Sequence, residues 1–257
     1  MIRAIFFDID GTLLSFKTHE MSKSTIEALN KLREKGIKLF IATGRHKSLI
    51  GVLDKYFKFD GYVTLNGQYC FNDDRIIYKN SINKNDIEKV VEHAKNDLYS
   101  CYFVDEHDLF VNNISDEVKE ICELVNLDLP KVCDPVTALD KDIYQLIACL
   151  NEDNEKLLLE STEEIAITRW HDKFIDIIPK GGSKRVGISE VLDHYSISSD
   201  EIMAFGDGGN DIEMLEFAKI GIAMGNASDK VKEIADYITT DVDDDGIVNA
   251  LKHFEIL

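Results

Sequence analysis

The feature that most constrains the fold is an alternation of short apolar runs with helical patterns near both ends of the chain. The runs are rich in β-branched and aromatic residues, and each is followed by a helical pattern, which is typical of βα units in a parallel sheet. The predicted strands are residues 2–7, 37–42, 62–65, 201–205 and 220–223. The sequence therefore predicts an α/β fold whose Rossmann-like parallel sheet is built from both ends of the chain.

The helices predicted between these strands have recognisable ends. The first begins near Ser24, where Ser24 and Glu27 form a capping-box pattern, and ends at Gly36. Further helices are predicted over residues 44–57, 183–194 and 211–218.

The middle of the chain has a different pattern, in which helices alternate with meandering strands. Helices are predicted over 86–96, 116–125 and 154–160, strands over 101–104, 109–111 and 143–150, and a hairpin over 165–169 and 174–178. A chain of 257 residues is long enough for a core with an inserted module. We therefore expect a core domain of residues 1–81 and 180–257, and an inserted α+β cap domain of residues 82–179.

Composition restricts the partners of this chain. Lys and Arg number 29 against 48 Asp and Glu, a formal charge of −19 that repels nucleic-acid phosphates and anionic lipid. No apolar run is long enough to span a bilayer. The five cysteines are odd in number and contain no CxxC pair, so they indicate buried thiols in a reducing compartment. We expect a cytoplasmic protein with no nucleic-acid or membrane partner, and the sequence does not predict its oligomeric state.

Four polar motifs lie at ends of these predicted elements. They are Asp8 and Asp10 in DIDGTLL, Thr43 in ATGR, Lys184 in GGSKRVG, and Asp207 and Asp211 in GDGGNDIEML. Open α/β sheets form their ligand crevice at the carboxyl ends of the strands, so we expect these motifs to meet there.

Several carboxylates in one crevice repel each other unless a cation shares the site. Mg²⁺ prefers hard oxygen ligands and commonly combines one or two carboxylates with phosphate oxygen and water. Together with Lys184 it would supply the positive charge that a phosphoryl dianion needs. One of Asp8 and Asp10 could then attack phosphorus while the other handles the proton of the leaving group. Thr43 would offer its hydroxyl, and nearby backbone donors at a helix N-terminus, to the phosphoryl oxygens.

In these motifs the sequence resembles the haloacid dehalogenase-like superfamily, Cof-type branch, whose members are metabolite phosphatases with a large α+β cap. The resemblance implies that Asp8 is the nucleophile and that Asp10 is first the general acid and then the base. It implies that Thr43 and Lys184 hold the phosphoryl group. Mg²⁺ would be held by the residues Asp8, Asp10 (through its backbone carbonyl) and Asp207, with Asp211 binding through water or orienting its neighbours.

Other candidate substrate contacts carry two interpretations. Gly44 and Arg45, at a predicted helix start, are candidate substrate contacts. Arg45 there indicates an anionic ligand or simply a solvated side chain. Asn66 follows a strand at the crevice side, but Asn-Gly is also a common turn. Asn210 would assist in the phosphate or metal shell, as the resemblance implies.

Three further features are ambiguous. The segment DVDDDGIVNALK from Asp241 resembles an EF-hand loop, but Lys252 replaces the bidentate glutamate, so we expect the acidic run to cap the last helix. Arg169, Trp170, His171 and Asp172 lie at a predicted hairpin tip, where they could contact substrate or form a polar turn. His93 is expected at the surface.

The sequence thus favours a magnesium-dependent phosphatase acting on small phosphorylated metabolites, with sugar phosphates as the preferred class. A phosphomutase is the second hypothesis, although the acidic cap argues against binding of a bisphosphate. A non-catalytic metabolite-binding protein is the third, and the presence of Asp8, Asp10 and Lys184 argues against it.

Overall fold

The computed structural model describes residues 1–257, except for the side chain of Trp170. The chain divides into two compact units: a core unit, Met1–Tyr78 with Ser183–Leu257, and an inserted unit, Lys79–Gly182. The function of the inserted unit as a cap stays a prediction. Among the described residues, no helix has both the length and the apolarity needed to cross a membrane.

The strands are short, as the sequence predicts. They are β1 Ala4–Phe7, β2 Lys38–Ala42, β3 Gly61–Thr64, β4 Tyr69–Phe71, β5 Ile76–Lys79, β6 Cys101–Val104, β7 Leu109–Val111, β8 Lys131–Val132, β9 Gln145–Ala148, β10 Ile165–His171, β11 Phe174–Pro179, β12 Ile202–Gly206, β13 Ile220–Ala223 and β14 Tyr237–Ile238.

The α-helices lie between these strands. They are α1 Lys23–Glu34, α2 Lys84–Lys95, α3 Asp116–Leu124, α4 Glu155–Leu159, α5 Lys184–Tyr195, α6 Ile212–Phe217, α7 Asp229–Ile234 and α8 Gly246–His253.

The larger sheet has the strand order β14-β13-β12-β1-β2-β3-β4-β5. The strands from β14 to β3 in this order pair in parallel; all of them except β14 were predicted from the sequence. Strand β4, which the sequence analysis did not predict, pairs antiparallel with β3. The chain turns back through residues 65–67, where Leu65 and Asn66 have φ of 52° and 51°. The Asn-Gly pair is therefore a turn, since asparagine tolerates this left-handed conformation better than most residues.

The side chains of the sheet alternate between two apolar layers. Ile5 and Phe7 pack with residues of α1 and α8 on one face, whereas Ala4 and Phe6 pack with residues of α5, α6 and α7 on the other. Because successive side chains of a strand point to opposite faces, four consecutive apolar residues in β1 fill both layers. The core unit is thus a sheet covered by helices on both sides.

Two of the predicted helix features are wrong. Residues 44–57 form two 3₁₀ turns, Lys47–Leu49 and Gly51–Leu53, instead of an α-helix. Glycines at 44 and 51 and β-branched residues at 50 and 52 lower helix propensity there. Helix α1 is capped by Ser22, whose hydroxyl accepts a hydrogen bond from the Thr25 amide, and not by Ser24.

The inserted unit has its own sheet, with strand order β10-β11-β9-β6-β7-β8. Its pairings are antiparallel except that of β7 with β8. Residues of α2 and Leu158 of α4 pack in one apolar cluster with this sheet, whereas Val118 and Ile121 of α3 pack in another. This α+β arrangement agrees with the pattern in the middle of the sequence.

Candidate active site

The candidate active site lies at the carboxyl ends of the two central strands of the core unit. Strand β1 lies between β12 and β2, so the chain continues from β1 to one side of the sheet while β12 and β13 extend to the other. Such a reversal of strand order opens a crevice at the carboxyl ends. Asp8 directly follows β1, and Asp207 directly follows β12.

Lys184 is the buried cation of this site. Its side chain has 0% exposure, and its Nζ lies 2.6 Å from Oδ1 of Asp8 and 2.6 Å from Oδ1 of Asp211. Lys184 is the first residue of α5, which Ser183 caps by accepting a hydrogen bond from the Val186 amide. The start of α5 therefore places one ammonium group between two buried carboxylates.

Both oxygens of Asp211 accept hydrogen bonds. Oδ1 accepts from Lys184, and Oδ2 accepts from the backbone amides of Asp207 and Gly208, each at 2.9 Å. A Cβ at Gly206 would lie 2.5 Å from Cβ of Asp211, so only glycine allows this approach. The carboxylate of Asp211 thus connects Lys184 to the loop that carries Asp207.

Asp8 and Asp207 have too little positive charge near them to stabilise both ionised carboxylates. Burial raises the pKa of Asp8 to about 7, with Lys184 opposing the shift and Asp211 adding to it. Burial, followed by the charges of Asp8 and Asp211, also raises the pKa of Asp207 well above its usual value. For Lys184, burial favours the neutral amine, but Asp211 and Asp8 outweigh it and raise its pKa. The site therefore favours an additional cation near Asp8 and Asp207.

The geometry of these carboxylates fits a divalent metal ion. Oxygens of Asp8, Asp207 and Asp211 lie within 4.8 Å of one another. Hard carboxylate oxygens are the ligands that Mg²⁺ prefers, and it commonly takes one or two of them. Since Asp211 is committed to Lys184 and two amides, Asp8 and Asp207 are the carboxylates suited to hold the ion.

Asp10 lies at the same edge but has a different partner. Its Oδ2 accepts from Nε of Arg45 at 2.8 Å, and its Oδ1 accepts from Nη2 at 2.6 Å. The two side chains are 20% and 10% exposed. Arg45 is therefore not a solvated side chain, because its guanidinium binds the Asp10 carboxylate at two points.

The other predicted contacts line the same region of the core unit. The hydroxyl of buried Thr43 accepts a hydrogen bond from the Arg45 amide, separated from it by Gly44. Thr43 does not lie at an α-helix N-terminus, since 3₁₀ turns follow it. Asn210 donates to Oδ1 of Asn66 at 2.9 Å, so these two predicted contacts lie together.

Two residues of the site were not predicted from the sequence. Thr12 donates to Oδ1 of Asp207 at 3.1 Å, and Asn226 donates to Oδ2 at 3.2 Å. Thr12 stands next to the first motif, but Asn226 follows β13 in a segment, MGNAS, that suggests only a turn. A further polar residue after a parallel strand was the available signal for Asn226.

The ambiguous features have structural explanations. Asp241 caps the 3₁₀ turn Val242–Asp244, and Asp245, the residue before α8, makes no side-chain cap. The acidic run therefore does not cap the last helix, contrary to the prediction.

Arg169 lies within β10, where it binds Glu155 and backbone carbonyls of the hairpin. Trp170 lies outside the described side chains. His93 is half-buried, and its Nδ1 lies within hydrogen-bonding distance of the Tyr99 hydroxyl.

Known proteins match this chain over nearly its whole length. A family model described as haloacid dehalogenase-like hydrolase matches residues 5–251. The 5-amino-6-(5-phospho-D-ribitylamino)uracil phosphatase YitU of Bacillus subtilis is 29% identical over 97% of this chain and 96% of its own length.

Solved structures of phosphatases are also similar. The haloacid dehalogenase subclass IIB sugar phosphatase BT4131 is 42% identical, with a TM-score of 0.94 over 99% of this chain and 100% of that one. BT1666 from Bacteroides thetaiotaomicron is 40% identical, with a TM-score of 0.91 over 100% of this chain and 96% of that one. The chain therefore belongs to the haloacid dehalogenase-like hydrolases, in the Cof-type branch, and is a phosphatase of that family.

Proposed function

We propose that this protein is a magnesium-dependent phosphatase that hydrolyses small phosphorylated metabolites, with sugar phosphates as the preferred class, through an aspartyl phosphate on Asp8. The observation that carries the proposal is the position of Lys184, whose Nζ lies 2.6 Å from both Asp8 and Asp211. A buried ammonium beside a carboxylate at the carboxyl edge of the sheet suits attack on a dianionic phosphoryl group.

In the first step, a carboxylate oxygen of Asp8 forms a bond to phosphorus while the bond from phosphorus to the ester oxygen breaks. The departing oxygen takes a proton from Asp10, which must be protonated at that moment. In the second step, Asp10 accepts a proton from water, and the water oxygen attacks phosphorus. The bond from phosphorus to Asp8 then breaks, releasing inorganic phosphate and the free carboxylate.

The other residues bind and orient the reacting groups. Lys184 offsets the charge of Asp8 and of the phosphoryl oxygens, and Thr43 can donate its hydroxyl to the same oxygens. Arg45 holds the carboxylate of Asp10 at two points, so Asp10 must leave this ion pair before it can carry the proton of the first step. Asn66 and Asn210, which bind each other, are proposed contacts for the phosphoryl or substrate oxygens.

Asp8, Asp207 and the backbone carbonyl of Asp10 are the proposed ligands of Mg²⁺, with Asp211 orienting its neighbours. When bound, the ion would supply positive charge that stabilises the phosphoryl oxygens in the transition state. Burial, together with the neighbouring carboxylates, raises the pKa of Asp8 and of Asp207, and a bound cation would oppose both shifts.

The preference for sugar phosphates is supported by the similarity to the sugar phosphatase BT4131, which is 42% identical to this chain. The cytoplasmic location expected from the composition stays a prediction.

The test is phosphate release from a panel of sugar phosphates and other phosphorylated metabolites, with Mg²⁺ or with EDTA. The natural protein is compared with Asp8→Asn and with the matched control Asp74→Asn, which changes an exposed aspartate of the same unit. We expect release only with Mg²⁺, in the natural protein and the control but not in Asp8→Asn. Release that persists in Asp8→Asn would refute the covalent mechanism, and formation of a sugar phosphate isomer in place of phosphate would indicate a mutase.

A further inference from the structure

Asn226 connects three separate segments of the core unit. Its Nδ2 donates to the carbonyl oxygen of Gly11 at 2.9 Å and to Oδ2 of Asp207 at 3.2 Å, and its Oδ1 accepts from the Val242 amide at 3.0 Å. These partners lie after β1, after β12 and before α8. One half-buried amide thus joins the loop of the nucleophile to the loop of Asp207.

The orientation of this amide is determined by its neighbours. The Val242 N–H can only donate, so it must face the oxygen of Asn226. The NH₂ group then faces two groups that only accept, the Gly11 carbonyl and the Asp207 carboxylate. If the oxygen and nitrogen of the Asn226 amide were exchanged, a donor would face the Val242 N–H and an acceptor would face both the Gly11 carbonyl and the Asp207 carboxylate.

Asp207 needs such a restraint. Oxygens of its carboxylate and of Asp8 and Asp211 lie within 4.8 Å of one another, so the neighbouring negative charges repel it. Asp207 is half-buried, so its side chain could turn away toward water to relieve that repulsion. Thr12 and Asn226 each donate to one of its oxygens and hold it against Asp8 and Asp211.

We propose that Asn226 is a positioning residue that, together with Thr12, holds Asp207 in the orientation needed to bind the divalent cation. Neutral donors suit this role because they leave the carboxylate charged, whereas a lysine or arginine would compete with the ion. Partners of this kind behind a metal ligand typically change metal affinity by about 10–100-fold. The inference rests on the proposed magnesium site.

Asn249 provides a matched control. Its Nδ2 donates to Thr240 Oγ1 at 2.9 Å and to the Asp244 carbonyl at 3.0 Å, so it stabilises the same 240–245 turn by an amide. Neither of these hydrogen bonds reaches Asp207. Substitution of either Asn226 or Asn249 should therefore lower general stability, but only substitution of Asn226 should lower metal affinity.

The experiment measures the Mg²⁺ dissociation constant by calorimetry for the natural protein, Asn226→Ala and Asn249→Ala. We expect Asn226→Ala to bind Mg²⁺ about 10–100-fold more weakly, and Asn249→Ala to bind within about twofold of the natural protein. Equal affinities in all three proteins would overturn the inference, as would equal weakening in both variants. Absence of binding to the natural protein would instead contradict the proposed magnesium dependence.

A second pair of variants tests the other oxygen of Asp207 in case Asn226→Ala does not fold. Thr12→Val keeps the shape of the buried side chain but removes the hydroxyl donor, and Thr12→Ser restores it. We expect Mg²⁺ binding to weaken about tenfold in Thr12→Val and to recover in Thr12→Ser. Unchanged affinity in Thr12→Val would show that these donors do not position Asp207.

Discussion

Gly11 gives a sharp test of how closely the first motif is packed against Asp207. Gly11 has φ of +82°, and a Cβ placed there would lie 2.2 Å from Oδ2 of Asp207. Gly36 has φ of +77°, but a Cβ there would meet nothing within 4 Å. The same Cβ would lie 2.7 Å from Cε2 of Phe16, so the pair Gly11→Ala and Gly36→Ala separates the backbone cost of a left-handed alanine from displacement of the Asp207 carboxylate and the Phe16 ring.

The expected magnitudes follow from this geometry. A left-handed alanine costs about 1–2 kcal/mol, which is the whole effect expected for Gly36→Ala. In Gly11→Ala, ordinary contact begins at 3.4 Å, so Oδ2 of Asp207 or the loop must move by about 1.2 Å. Movement of that size disrupts the hydrogen bonds from Thr12 and Asn226, each a net contribution of about 1 kcal/mol. Release of repulsion among the carboxylates offsets part of this loss.

The assay combines urea unfolding in EDTA with calorimetric Mg²⁺ titration. We expect Gly11→Ala to be less stable than Gly36→Ala by about 1–2 kcal/mol without metal. Its Mg²⁺ affinity should fall about 10–100-fold, equivalent to about 1.4–2.7 kcal/mol, while Gly36→Ala binds like the natural protein. Natural Mg²⁺ affinity in Gly11→Ala would refute the reasoning, because the displaced carboxylate would then not be a ligand.

Three further predictions concern ionised side chains. Lys184→Met should lower the free energy of unfolding by about 3–5 kcal/mol in EDTA, because it leaves two buried carboxylates without their cation. The control Lys180→Met, at an exposed site, should change that free energy by less than about 0.5 kcal/mol. Equal urea midpoints for the two variants would contradict the prediction. Burial raises the pKa of Asp8 from 3.8 to about 7 in the folded protein. The contribution of protonated Asp8 to the stability of the metal-free protein is therefore fully present below pH 3.8 and is lost as the pH rises through about 7. The unfolding free energy of the natural protein minus that of Asp8→Asn should thus fall with pH by up to about 1.4 kcal/mol per unit, and a constant difference between pH 5 and 8 would disprove it. Arg169→Met removes the guanidinium that joins Glu155 to the hairpin carbonyls and should destabilise the protein by about 2–4 kcal/mol in urea unfolding. An unchanged urea midpoint would show that these hydrogen bonds contribute little.

The sequence predicts the strands of the core well because their apolar pattern depends only on residues that are close together in the chain. Four apolar side chains in β1 and four in β12 fill both layers of a covered sheet, so their pattern alone indicates buried parallel strands. Segments whose conformation depends on packing were predicted less well. The 3₁₀ turns at 47–53 replace a predicted helix, and β4 forms because the chain reverses at Asn66.

The same division applies to the site. The motifs that carry Asp8, Lys184 and Asp207 could be recognised along the chain, because carboxylates and a lysine next to strand or helix ends indicate this chemistry. Which groups pair with each other could not be predicted, since the partners are far apart in sequence. Lys184 lies 176 residues from Asp8, and Thr12 lies 195 residues from Asp207.

The sequence by itself determined the fold class, the family motifs and the excess of negative charge. Only the tertiary structure decided that Asp211 is committed to Lys184 and two amides, that Arg45 binds Asp10, and that Asn226 restrains Asp207. Hydrogen bonds and ion pairs depend on distances of about 3 Å between side chains. Those distances are fixed only when the sheet brings the ends of β1 and β12 side by side.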